Sequence, residues 1–138
     1  KMDSILFSNL ICYESSHPEV ARGFIQNGAR FLTIEANDAW LRNSSGVRQH
    51  FELARLRAVE LRTGIVRSAN TGISGIIYPS GKVEKRIPFG EQAVFKGKVP
   101  LRSSMTFFAL YGSVFAQICL IITLVQIVWL IKRLNPSS

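Results

Sequence analysis

The sequence is poor in the residue types that staple, chelate or interrupt a small protein. It has two cysteines and two histidines in 138 residues. Cys119 lies inside a long apolar run near the C-terminus, so a disulfide to Cys12 is not expected and Cys12 reads as a free thiol. Two histidines and one thiol outside that run are too sparse for a zinc site, and no metal or other cofactor is expected. Five prolines and ten glycines exclude a linker or a collagen-like chain. Acidic residues are scarce, nine against seventeen lysines and arginines, which leaves a net charge of +8. That balance suits nucleic acid, anionic lipid or an acidic substrate and does not choose among them. With 47% hydrophobic and 19% charged residues the chain is not disordered, and its length suits one domain. No internal repeat or low-complexity segment is present.

Charge is missing altogether from residues 103–131. The heart of this stretch, 114–131, reads VFAQICLIITLVQIVWLI. As a helix it rises about 27 Å, close to the hydrocarbon thickness of a bilayer. A buried core helix is the plain alternative, but so long an uncharged run is rare there, and residues 113–131 are read as a transmembrane helix. Lys132 and Arg133 follow at once, and Trp129 sits where an interfacial anchor belongs. The positive-inside tendency puts the tail, 132–138, in the cytoplasm and residues 1–112 on the opposite face. The N-terminal residues do not read as a signal peptide, so an upstream segment is expected to export the domain.

The rest alternates strands and helices. Residues 5–12 form an apolar strand that stops at Tyr13-Glu14-Ser15-Ser16. Ser16 and Glu19 have the spacing of a capping box, with Pro18 in the first turn and Gly28 at the helix end. A second strand is expected at 31–34 and a helix at 49–62, with Glu52/Arg55 and Arg57/Glu60 as i,i+3 pairs. A third strand follows at 65–68, then a hairpin, 73–78 and 83–87, around Pro79-Ser80-Gly81-Lys82. Residues 93–101 suggest a last strand. This is an α/β pattern that begins on a central-looking strand, as the C-terminal part of a larger sandwich would. Cys12 falls between a strand and a helix, where a nucleophile stands exposed above a sheet with helix N-terminal amides nearby. The plain alternative is a small buried hydrophobe.

The motifs are more specific than the pattern. Cys12-Tyr13-Glu14, Pro18-Glu19, Asn27-Gly28-Ala29, Asn37-Asp38-Ala39-Trp40, Gln49-His50, Ala54-Arg55, Arg57-Ala58, Glu60 and Asn70-Thr71-Gly72-Ile73 occur in order. Together they resemble the nitrilase (carbon-nitrogen hydrolase) superfamily and, within it, the C-terminal portion of the apolipoprotein N-acyltransferase family, over about residues 10–112. The resemblance implies the C-terminal part of a nitrilase-like αββα sandwich over 1–112, followed by one transmembrane helix. It also implies phospholipid-to-apolipoprotein N-acyltransfer at a bacterial inner membrane, with the nitrilase-like domain on the periplasmic side. In that chemistry an acyl chain passes from a phospholipid, phosphatidylethanolamine as the expected donor, to a cysteine thioester. From there it passes to the N-terminal amine of a diacylglyceryl-cysteine apolipoprotein.

Residue by residue, the resemblance implies that Cys12 is the nucleophile, that Tyr13 and Glu14 support the site, and that Trp40 lines the pocket. The family's base glutamate and oxyanion lysine lie before this chain begins, and Lys1 is too close to Cys12 to be that lysine. The chain is therefore expected to be a partial enzyme, inactive without its missing N-terminal half. Leu41-Arg42 stands where the family commonly has an aromatic and a glycine, and Phe107-Phe108-Ala109-Leu110-Tyr111-Gly112 replaces a more polar approach to the membrane. A papain-like Cys/His pair is the rival enzyme reading. His50 has no asparagine or aspartate clearly placed to orient it, and is expected to be a helix-end or packing residue. Arg22, Arg30, Arg42, Arg48, Arg55, Arg57, Arg62 and Arg67 are spread along the domain, which fits lipid headgroups better than nucleic acid. Some of them are expected to be helix surface or paired with Glu52 and Glu60. An amidase of the same fold and a non-catalytic membrane-tethered module are the other functional readings.

Overall fold

In the computed structural model, which describes residues 4–42 and 44–134, three βα turns lead into a β-hairpin and then a long terminal helix. Lys1, Asn43 of the expected loop and residues 135–138 of the expected tail lie outside the described residues. The strands are β1 (Ser8–Ile11), β2 (Phe31–Ala36), β3 (Gly64–Ala69), β4 (Ser74–Ile77) and β5 (Val83–Ile87). The helices are α1 (Pro18–Gln26), α2 (Ser45–Leu61), α3 (Phe107–Tyr111) and α4 (Val114–Leu134), with 3-10 turns at Cys12–Ser16 and Ala39–Leu41. The sheet order is β1-β2-β3-β4-β5, parallel through β3 and antiparallel from β3 to β5.

Alternation in the strands sets one core. Leu10, Leu32, Ile34, Ile65 and Ile77 are fully buried on the face that meets α1 and α2. Ala21 and Ile25 of α1 and Val47, Phe51, Ala54, Ala58 and Leu61 of α2 fill the other side. Small residues at 21, 54 and 58 let the helices lie close to the sheet. The predicted capping box does not form. Pro18 takes the first helical position, the Ser16 hydroxyl has no partner among the described residues, and Glu19 pairs with Arg22 at 2.6 Å. The helix does end at Gly28, whose φ of +96° closes a Schellman motif through Gly28 N–H to Ile25 O and Ala29 N–H to Phe24 O. Helix α2 begins four residues earlier than its apolar stripe suggests, because the Ser44 hydroxyl accepts from Gly46 N–H at 3.2 Å and caps it.

The expected last strand is a strap instead. Residues 93–102 run across the second face of the sheet rather than along it, so they find no ladder partner. Lys85 Nζ of β5 donates to Lys96 O at 2.7 Å, Gly97 lies against Ile76 of β4, and Gly64 of β3 lies under Val99 and Pro100. Arg102 N–H then donates to Arg30 O at 2.7 Å, just before β2. The strap leaves the β1 end of that face bare. Phe7 is 57% exposed and stacks on Phe31 at 5.1 Å, and Ile11 is 64% exposed.

The strap delivers the chain to α3. Ala109 O accepts from Arg22 Nε and Gln26 Nε2, Leu110 O accepts from the Arg22 guanidinium, and the Thr106 hydroxyl donates to Glu60 O. After Gly112, at a φ of +70°, and Ser113 comes α4. This helix has 21 residues and a mean hydropathy of 2.5, is long and apolar enough to cross a membrane, and has none of its apolar stretch buried. It runs to Leu134, three residues past the span read from the sequence, with the Arg133 guanidinium over the Trp129 ring. A Cβ at Gly64 would lie 2.5 Å from Pro100 O. The Gly64→Ala variant is therefore expected to lift the strap, read as faster proteolysis within 93–102 and a lower melting temperature.

Candidate active site

Three parallel strands bring their carboxyl ends to one edge, and ligands bind at such edges in α/β sheets. Ile11, Glu35 and Ser68 are register partners, so the residues that follow them gather there. Cys12 comes directly after β1, Asp38 two residues after β2, and Arg67 lies near the end of β3. Cys12 has a φ of +50°, an uncommon conformation for a residue other than glycine, which turns the chain sharply out of the strand into the 3-10 turn. Glu14 stabilises that turn, its Oε2 accepting from Ile11 N–H at 2.8 Å. Cys12 is half-buried, with Sγ 4.0 Å from Asn37 O.

Beneath the turn lies a buried polar cluster. Asp38 is fully buried, its Oδ1 2.7 Å from His50 Nδ1 and its Oδ2 accepting from the Arg67 guanidinium at 2.8 Å. Arg67 is also fully buried and donates through Nε to Ile73 O at 3.1 Å. His50 Nε2 is 3.2 Å from Cys12 O and 3.1 Å from Ser15 Oγ, and the Ser15 hydroxyl donates to Cys12 O at 2.8 Å. Burial pushes the Asp38 carboxyl up, but the His50 hydrogen bond and the neighbouring charges outweigh it and hold the group below its ordinary value. Burial lowers the Arg67 guanidinium from its ordinary value; Asp38 offsets much of this, and the Cys12 charge adds a smaller term in the same sense. Arg67 stays charged. Gly72 packs directly on Asp38, where a Cβ has no room.

Two expectations change here. His50 does have an aspartate to orient it, Asp38. Yet it meets the Cys12 carbonyl rather than the thiol, so the pair is not the Cys/His dyad of the rival reading. Arg67 is not a headgroup-facing residue but the buried counter-charge of Asp38. Arg57 forms the expected pair with Glu60, 3.0 Å apart, but is itself buried. Tyr13 and Trp40 are both exposed and, with Leu41, Gly46, Gln49, His50 and Leu53, line a cleft of about 120 Å³ beside the turn. Sequence reasoning missed Ser15, Asp38 and Arg67 as members of the site. Asp38 lies inside the Asn37-Asp38-Ala39-Trp40 motif, so the signal was there without its chemistry.

The fold and these residues are those of a carbon-nitrogen hydrolase: residues 3–104 match that family, and the chain belongs to it. It is similar in particular to apolipoprotein N-acyltransferases. The Geobacter metallireducens protein is 41% identical over 110 residues, covering 80% of this chain and 21% of that protein. The Chlorobaculum tepidum protein is 36% identical over 116 residues, covering 84% and 22%. The chain thus spans about a fifth of the length of the curated relatives it matches. Among solved structures, an amidase from Nesterenkonia sp. AN1 aligns with a TM-score of 0.55 at 16% identity, over 85% of this chain and 46% of that one. A carbon-nitrogen hydrolase from Helicobacter pylori G27 aligns with a TM-score of 0.55 at 15% identity, over 62% and 37%. These two likenesses concern the fold.

Removing one partner of a buried ion pair strands the other charge, so Asp38→Asn is expected to cost about 3–5 kcal/mol in chemical denaturation. Because folding lowers the Asp38 pKa, its stabilisation is complete above the unfolded value of about 3.9 and fades as pH falls through the folded value. Wild-type melting temperature should drop across that acid range, and the drop should be smaller in Asp38→Asn.

Proposed function

We propose that this chain is the C-terminal portion of a phospholipid-to-apolipoprotein N-acyltransferase, with Cys12 as the acyl-accepting nucleophile. The observation that carries the reading is Cys12 itself: a half-buried thiol at a φ of +50°, at the carboxyl edge of three parallel strands, in a chain 41% identical to an enzyme of that name. The Nesterenkonia amidase, alike in fold, has been captured with an acetamide moiety attached at its active-site cysteine, which supports covalent chemistry at the corresponding turn.

The Cys12 thiolate attacks the carbonyl carbon of a phospholipid ester, and the carbonyl oxygen takes the electron pair as an oxyanion. Collapse expels the lysophospholipid alkoxide, which takes up a proton, and leaves a thioester on Sγ. The amine of a diacylglyceryl-cysteine then attacks that thioester, Sγ leaves as the thiolate, and the amine gives up its proton as the amide forms. The amide of Tyr13 sits second in the 3-10 turn, where no intrahelical acceptor exists, and is the oxyanion donor supplied by this chain. Glu14 holds the turn through Ile11 N–H, while Tyr13 and Trp40 border the cleft in which substrate lies. The proton-accepting glutamate and the oxyanion lysine come from the enzyme's N-terminal half. That half also covers the bare β1 end of the sheet and completes the sandwich, and residues 1–112 alone are inactive.

The α4 helix favours a lipid ester over a soluble amide as acyl donor. It spans the inner membrane with Lys132 and Arg133 at its cytoplasmic end, which puts the domain on the periplasmic side. Mass spectrometry of the protein extracted intact from its membrane and incubated with phosphatidylethanolamine should detect a hydroxylamine-sensitive acyl adduct on the Cys12 peptide. A free, alkylatable Cys12 under those conditions would refute the assignment. Cys12→Ser should abolish turnover, because a serine alkoxide is far harder to form near neutral pH, whereas Cys119→Ala should leave it unchanged.

A further inference from the structure

The buried cluster contains a histidine for which the acyl-transfer steps have no use as a base. His50 is 3% exposed, and the two groups facing Nε2 are Cys12 O and Ser15 Oγ, not a substrate position. Its protons follow from its partners. An ionised Asp38 2.7 Å from Nδ1 accepts a proton from it. A carbonyl oxygen can only accept, so Nε2, 3.2 Å from Cys12 O, donates to it. Ser15 donates to the same oxygen at 2.8 Å. Both ring nitrogens are therefore donors, and Cys12 O is held from two sides at the floor of the turn.

The peptide group that follows Cys12 is planar, and the described chain has no cis bonds. Its N–H, that of Tyr13, is therefore directed opposite to its C=O. Tying Cys12 O to His50 and Ser15 turns the Tyr13 N–H away from the buried cluster, toward the open side of the turn. Hydrogen bonds to the carbonyl also polarise the amide and make that N–H a stronger donor, by roughly 10–30%. We propose that His50, oriented by Asp38, is a positioning residue for acyl transfer. It holds and polarises the Cys12–Tyr13 peptide so that the Tyr13 amide is aimed and strengthened as an oxyanion donor. This rests on Cys12 being the acyl acceptor, and it assigns His50 a role that neither takes nor gives the reaction's proton.

Two reactions of the same sulfur separate this role from a purely structural one. Acylation passes through an oxyanion; alkylation by iodoacetamide does not. Two substitutions separate the ring's two bonds. Glutamine reaches where Nε2 stands and can donate to Cys12 O, whereas asparagine reaches only as far as Nδ1 and keeps Asp38 alone. In the intact membrane-extracted protein, with phosphatidylethanolamine in detergent micelles and no amine acceptor, single-turnover acylation of Cys12 is followed by mass spectrometry. His50→Gln is expected to acylate within about threefold of wild type and His50→Asn at least about tenfold more slowly, a fraction of what loss of a whole oxyanion donor costs. Iodoacetamide should alkylate Cys12 at the same rate in all three. Equal acylation by the two variants overturns the proposal, as does a parallel loss of acylation and alkylation, which would make His50 a fold-holding residue only. If wild type forms no adduct while Cys12 still alkylates, the nucleophile assignment itself has failed.

Discussion

A single buried carboxylate organises the catalytic edge of this domain. Asp38 sits between Arg67 on β3 and His50 on α2, and each of its oxygens takes one of them. An unpaired charge at that depth would cost several kcal/mol, so the three residues stay together or the edge comes apart. Through Arg67 the cluster reaches Ile73 O in the loop before β4, and through His50 it reaches Ser15 and the Cys12 carbonyl. The uncommon backbone of Cys12 persists because the groups around it leave its peptide no other place. Gly72 is part of the same constraint, since any side chain there would occupy the carboxylate's position.

Much of the fold is legible in the sequence because its signals are local. The apolar runs of β1, β2 and β3, the stripe of α1, the Gly28 stop and the Pro79-Ser80-Gly81-Lys82 turn need no knowledge of distant residues. Helix α4 is the clearest case, since a membrane helix satisfies its own backbone and needs no partner strand. The strap was misread for a physical reason: apolar residues at 93–101 show that one side is covered, not whether the chain runs along a sheet or across it. The site is legible only in part. Cys12, Tyr13, Glu14 and Trp40 are contiguous motifs and could be singled out. The partnership of Asp38 with His50 depends on the register of parallel strands and on where α2 begins, and neither is written in a spacing of twelve residues. Arg67 read as one more surface cation, since a buried charge cannot be recognised before its counter-charge is known.

The connection to the bilayer is short and clamped. Only Gly112 and Ser113 separate α3 from α4, and the carbonyls of α3 are held by Arg22 and Gln26 from α1, the helix that follows the Cys12 turn. A domain on so brief a leash cannot sample the surrounding volume. Its search for a lipid is confined to two dimensions, and the effective concentration of headgroups at its edge is set by the geometry of attachment rather than by bulk supply. Affinity for any single lipid can then be weak without slowing encounter, and a product still anchored in the same leaflet departs by lateral diffusion instead of crossing water.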